Sequence, residues 1–167
     1  MARPGPQDYD RAHLFRVGRT IFVRMVGAVV LAAMLAGCGG REAPAASDAW
    51  VRLAAVPGRP AAGYFTLHGG AKPVALAALE VPGVPRVELH ESRMTGNGMM
   101  AMDAVASVPV PASGTVKFAP TGYHAMLFGV PASVKPGATL TMRFRFQDGS
   151  AVEAPAKVVG AGEAGPE

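Results

Sequence analysis

Two histidines enclose a stretch of this chain that is rich in sulfur. From His90 the sequence runs through Met94, Met99, Met100 and Met102 to His124 and Met126; the remaining methionines are Met1, Met25, Met34 and Met142. Imidazole and thioether are donors that Cu(I) accepts and hard cations avoid. Two of each would form a neutral set, so a bound Cu(I) would keep a single positive charge. Such a set disfavours Zn²⁺ and Ca²⁺, which prefer thiolate, imidazole or carboxylate. Taken singly, Met102 and Met126 read as gap-filling core residues, a common use of methionine. The company of His90 and His124 makes ligation the better reading. Met94, Met99 and Met100 stand as candidates for an auxiliary or transient metal role.

Chemistry of this kind needs the donors on one surface. His124 and Met126 are two residues apart, and a strand of period two points both side chains the same way. Arg86 to Glu91 alternates, with Val87 and Leu89 on one face and Glu88 and His90 on the other. Glu88 and Glu91 read as solvent-facing, Trp50 as core, and His68, before Gly69-Gly70, as a turn or surface histidine.

The elements expected around these residues are short and extended. Strands are predicted at 49–53, 62–68, 86–91, 99–105, 115–118, 123–128, 139–146 and 151–159. The segment 74–81 is strand or loop, and 108–111 is extended. Pro57-Gly58, Pro82-Gly83, Gly96-Asn97-Gly98, Pro136-Gly137 and Asp148-Gly149 punctuate them, the last a strong hairpin signal. Short strands with turns at this spacing predict an all-β antiparallel sandwich or barrel. Residues 48–159 show no internal boundary.

The amino-terminal part has a different character. Basic residues between Arg11 and Arg24 precede thirteen uncharged, mostly apolar residues, Met25 to Gly37. That run is shorter than the roughly 20 residues of a membrane-spanning helix and fits the apolar region of a signal peptide. It ends in Leu35-Ala36-Gly37-Cys38, which resembles a bacterial lipobox. The expected organisation is a signal peptide over 1–37, a lipidated tether over 38–47 beginning at Cys38, a domain over 48–159 and a flexible tail over 160–167. Gly39 after the cysteine implies, by the same resemblance, outer-membrane sorting and a periplasmic location.

Charge and cysteine count remove several function classes. The chain carries a formal charge of +4, but five basic and two acidic residues fall in 1–37, leaving eleven against ten beyond it. There is no basic stripe with interleaved aromatics to suggest nucleic acid. Cys38 is the only cysteine, so an intrachain disulfide is excluded. With Cys38 lipidated as expected, no thiolate remains for a zinc–cysteine site or for a blue-copper centre, which needs one beside two histidines. No nucleophile elbow or phosphate loop is present to suggest an enzyme.

The motif spacing carries a resemblance. The family of periplasmic copper chaperones called PCuAC has a histidine or methionine, ten residues, a methionine, twenty-one residues and then His-x-Met. Here eleven residues separate His90 from Met102, twenty-one separate Met102 from His124, and His124-Ala125-Met126 closes the pattern. The extra residue falls in the turn Thr95 to Gly98, where insertion costs little. It leaves the choice among Met99, Met100 and Met102 open at this level, with spacing favouring Met102. Ala49-Trp50-Val51-Arg52, Ala62-Gly63-Tyr64-Phe65, Gly122-Tyr123-His124 and Lys135-Pro136-Gly137 also resemble the family, over about residues 46–158. The resemblance implies a cupredoxin-like Greek-key domain holding Cu(I) through His90, Met102, His124 and Met126. It further implies delivery to a respiratory copper enzyme such as cytochrome c oxidase, with a Sco-type assembly protein as a partner. A scavenging or resistance lipoprotein without a delivery role is the alternative.

Overall fold

Alternation of apolar and polar side chains builds this molecule, and the strand Thr139–Phe146 shows how. Its Met142, Phe144 and Phe146 are buried while Thr141, Arg143 and Arg145 are exposed, as a period of two requires. The computed structural model describes residues 42–166; the expected signal peptide and the expected lipidation site, Cys38, lie outside the described residues.

Ten strands follow in order: β1 Ala45–Arg52, β2 Ala61–His68, β3 Val74–Glu80, β4 Arg86–Met94, β5 Met100–Ala104, β6 Val108–Val110, β7 Thr115–Phe118, β8 Tyr123–Phe128, β9 Thr139–Phe146 and β10 Ala151–Val159. No helix occurs among the described residues. The ambiguous segment at 74–81 is strand, pairing with both β6 and β9. β1 starts at Ala45 and pairs residues 45–47 with His68, Leu67 and Thr66. The carboxyl end of the expected tether is therefore already sheet.

The strands form one sheet of order β5-β4-β8-β2-β1-β10-β9-β3-β6, with β7 paired to β2 off this path. All pairs are antiparallel except β1 with β10, which run parallel. β2 divides its second edge, giving residues 61–63 to β8 and residues 65–68 to β7. The sheet also closes over itself. β9 lies three places from β2 in the order, about 14 Å away if the sheet were flat at ~4.8 Å per strand. Yet the rings of Phe65 on β2 and Phe144 on β9 meet edge to face at 4.7 Å, which requires the two parts of the sheet to face each other across a core. Phe65 also stacks on Phe118 of β7 at 4.1 Å.

Close packing of β2 explains a glycine. A Cβ on Gly63 would lie 3.0 Å from Leu127 Cδ1 and 3.1 Å from Met142 Cε, so the bare backbone leaves room for both core side chains. On β4 and β8 the inward residues are Leu89, Ala125 and Leu127, all buried. The other face of those strands is left for the residues between them.

Candidate metal centre

Register decides which side chains meet on that outer face. β8 pairs antiparallel with β4 so that His90 lies opposite His124 and Glu88 opposite Met126. β5 pairs with the other edge of β4, setting Ala104 opposite His90, Met102 opposite Ser92 and Met100 opposite Met94. Period two then gathers Glu88, His90, Ser92, Met94, Met100, Met102, His124 and Met126 on one surface. His90 lies between Leu89 and Glu91, and His124 between Tyr123 and Ala125, all four belonging to the opposite face. Neither ring can turn away without breaking the alternation.

The two imidazoles are the centre of this surface. Their centroids are 5.9 Å apart with ring planes at 33°. His124 is 4 % exposed, and the His90 side chain is 15 % exposed. Each ring has one nitrogen tied down. His124 Nδ1–H donates to the carbonyl of Gly122 at 2.9 Å, and His90 Nε2–H donates to Glu88 Oε2 at 3.0 Å. Both acceptors can only accept, so both tautomers follow. The free lone pairs are on His124 Nε2 and His90 Nδ1, and these two atoms are buried with no hydrogen-bond partner. A buried polar atom left without a partner costs about 1–3 kcal/mol. Two such atoms on neighbouring rings, each with its opposite nitrogen fixed, is the arrangement seen where imidazoles ligate a metal.

Local structure fixes the supports. Ala119 N donates to Tyr123 O at 2.7 Å and Gly122 N to Ala119 O at 3.2 Å, closing the turn into β8. The Gly122 carbonyl also accepts from Ser92 N at 3.1 Å, so the group that orients His124 is itself anchored to β4. On the other side Arg86 Nη1 donates to Glu88 Oε1 at 2.9 Å, and its guanidinium carbon sits 3.9 Å from the Phe128 ring centroid. The Glu88 carboxylate thus orients His90 while Arg86 balances its charge. The expectation that Glu88 is simply solvent-facing is corrected here. Alternation places it on the same face as His90, two residues away, and that is the signal for it.

The sulfur donors differ in setting. Met126 is half-buried between Glu88 on β4 and Ala62 on β2, where the small Ala62 side chain leaves it room. Beyond Ala62, Arg52 stacks over Trp50 at 5.0 Å and Tyr64 at 5.7 Å. Trp50 is therefore half-buried on this outer surface, its ring tilted 37° against that of Tyr64 with centroids 4.4 Å apart, and not a core residue. Burial raises the Tyr64 phenol above its usual range, with the Arg52 charge opposing in the smaller part. Met102 is 56 % exposed on β5, an edge strand. Met94 and Met100 are exposed on the same face, and Met99 lies in the turn between β4 and β5. His68 is apart from this group, its Nε2 2.8 Å from Ser47 Oγ.

The group therefore offers two preset nitrogens and adjacent thioethers. Among the described residues, no group of three His, Cys, Asp or Glu side chains is placed to hold an ion; the donors that share this face with the two imidazoles are thioethers. A cleft of about 560 Å³ exists, lined by residues such as Asp48, Thr66, Lys117 and Pro155. It includes neither histidine, and a single ion does not need one.

Residues 45–158 match the family described as "Putative lipoprotein LpqE-like". A protein of Leifsonia xyli subsp. xyli, described as "Putative lipoprotein Lxx21020", is 32% identical over 105 residues, which are 62% of this chain and 62% of that protein. The chain thus spans less than two thirds of the length of this curated relative. Among solved structures, a protein of Deinococcus radiodurans, CuI-DR1885, is 28% identical with a TM-score of 0.58, covering 77% of this chain and 85% of that one. The copper-bound PCuAC domain of PmoF2 has 17% identity and a TM-score of 0.58, covering 73% and 96%. At that identity the likeness establishes the shared fold, and the cupredoxin-like Greek-key expectation agrees with it.

Proposed function

The chain belongs to the LpqE-like lipoprotein family, and on that footing we propose that it is a Cu(I)-binding carrier held to the outer side of a membrane. The observation that carries this reading is the pair of buried, unpartnered nitrogens, His90 Nδ1 and His124 Nε2, facing a surface that also presents Met126 and Met102. These four residues are the proposed ligands. The copper-loaded Deinococcus radiodurans structure, similar in fold over most of both chains, supports a soft monovalent ion as the cargo.

Each donor has a distinct task. The Gly122 carbonyl and the Glu88 carboxylate hold the imidazole tautomers, so the lone pairs point at the ion without reorganisation. Met126 adds a half-buried thioether from the same strand as His124. Met102 completes the set from the exposed edge. All four donors are neutral, and thioethers need no deprotonation, so binding and release require no proton loss from sulfur. They also bind less strongly than a thiolate would, which suits a protein that must give its ion up. A recipient rich in thiolate could draw copper onward by replacing the donors one at a time.

The protein acts in this reading as a binding module and not as an enzyme. Its anchor is a lipid on Cys38 after removal of residues 1–37, and its location is periplasmic in a cell with two membranes. The recipient is a respiratory copper enzyme such as cytochrome c oxidase, with a Sco-type protein as an assembly partner. Delivery distinguishes this from a scavenging role: loss of the protein should lower oxidase assembly at limiting copper, whereas loss of a scavenger would only sensitise cells to excess copper.

The decisive experiment is a competition titration with a Cu(I) chelator. One equivalent should bind tightly, and His124→Ala and Met126→Ala should each weaken it. Binding that is absent, or indifferent to both changes, would overturn the assignment.

A further inference from the structure

Among the described residues, the exposed large apolar side chains are Val56 and four methionines, Met94, Met99, Met100 and Met102. The positions of the methionines are set by one hairpin. Thr95 N donates to Met99 O at 2.7 Å and Gly98 N to Thr95 O at 3.0 Å, closing a turn in which Gly98 has a φ of 79°, the left-handed region that glycine adopts without cost. The Thr95–Met99 bond fixes the phase of the ladder. Val105 N, donating to Leu89 O at 2.9 Å at the other end, agrees with it. Met94 and Met100 therefore oppose each other in a non-hydrogen-bonded pair, the kind in which side chains come closest, with Cα atoms about 4.5 Å apart.

Three thioethers share this face. Met102 follows Met100 by two residues, and the next row beyond Met102 is that of His90 and His124. At about 3.3 Å per residue, Met102 stands roughly 7 Å along β5 from Met100 and, as a diagonal neighbour across the β4–β5 pair, roughly 7–8 Å from His90, within the reach of a three-torsion side chain in either direction. His124 lies one strand beyond His90. The opposite face of the hairpin is different. There Arg93 Nε and Nη2 both donate to Asp103 Oδ2, at 3.0 and 2.8 Å. That clamp braces the two strands while leaving the sulfur face free.

We propose that Met94 and Met100, with Met102 as a shared third donor, form a second and weaker soft-metal site on the β4–β5 hairpin, which loads the histidine site. The proposal rests on the histidine pair being the tighter Cu(I) site. A monovalent ion captured by the exposed thioethers passes inward when Met102 turns from the Met100 row to the histidine row. The ion stays Cu(I) throughout: no electron moves, and each donor lost is replaced by another. Solvent-exposed sulfur in such a row has no packing duty to perform, and leucine would fill the same surface without offering a lone pair.

Ag(I), a redox-inert ion with the same donor preference, allows the test in the full chain with methionine methyl groups labelled for NMR. In a His124→Ala, Met126→Ala variant, Ag(I) should still shift the Met94, Met100 and Met102 methyl signals together, with weak saturation. In Met94→Leu, Met100→Leu, the histidine site should retain its equilibrium affinity, lose the second equivalent and load several-fold more slowly. A well-dispersed spectrum in which the Met94 and Met100 signals do not move in the first variant would overturn the hairpin site. So would unchanged loading in the second. Failure of the histidine reading is distinguishable, because it would remove the tight equivalent from the unaltered chain.

Discussion

The histidine half of the proposed centre and its methionine hairpin share one sheet face but are built on opposite principles. His90 and His124 sit on β4 and β8, interior strands of the sheet, where the His124 ring is buried and the His90 ring half-buried, each held by an acceptor that is itself fixed. Met102, Met100 and Met94 sit on a hairpin ending in the edge strand β5, exposed and unbraced on their own side. The first half is preorganised, so in the proposed carrier it would contribute affinity with little loss of freedom on binding. The second is exposed, so there it would contribute access and exchange. A carrier needs both, and the fold separates them by only two rows of residues.

The comparison can be broken most severely at His124. Replacement by Leu should lower Cu(I) affinity by more than about a hundredfold, beyond the roughly 10–100-fold typical of supporting partners. The apo protein should change little in stability in urea, since losing the Nδ1–H bond to the Gly122 carbonyl, which still accepts from Ser92 N, is offset by replacing the unpartnered buried Nε2 with an apolar side chain. Unchanged affinity would mean the buried half is not the anchor. Glu88→Ala should come next, weakening binding about tenfold, the low end of the range for groups that orient a ligand. A chelator titration measures both.

Met102→Leu tests the mobile half. We expect a smaller loss of affinity than at Glu88, a faster release of the ion to a competing thiolate, and a stability change within about 0.5 kcal/mol, as for surface substitutions generally. A loss as large as that of His124 would show that the edge donor is as much an anchor as the imidazoles. The smallest effect concerns the dry corner beside the buried half. Tyr64 should ionise above the ordinary 10.0 of a tyrosine, because burial outweighs the pull of Arg52. Its folded pKa is raised, so its contribution to stability is complete below the unfolded pKa and is lost as pH rises through the folded one. Ultraviolet titration of the phenol, with Arg52→Ala raising the midpoint further, checks the sign.

Much of this arrangement is legible in the residues. Alternation at 86–91 and at 123–126 is enough to place His90, His124 and Met126 on outward faces, because strand period is a local property. The turn residues mark the strands for the same reason, and they leave only 74–81 undecided: a short apolar run does not say whether its partners are strands. Trp50 and Glu88 depart from what their types suggest. Both depend on neighbours that pairing brings from elsewhere, Tyr64 and Arg52 for the first and His90 with Arg86 for the second.

What the sequence by itself determined is the donor inventory: two imidazoles, several thioethers, one cysteine at the leader, and strands whose period fixes which side chains share a face. Only the tertiary structure decided that His90 lies opposite His124, which nitrogen of each ring is free, and that Met102 belongs to an exposed edge while Met126 is half-buried. The reason is physical. Facing follows from dihedral angles within one strand, but register, tautomer and burial are set by hydrogen bonds and packing between strands far apart in the chain.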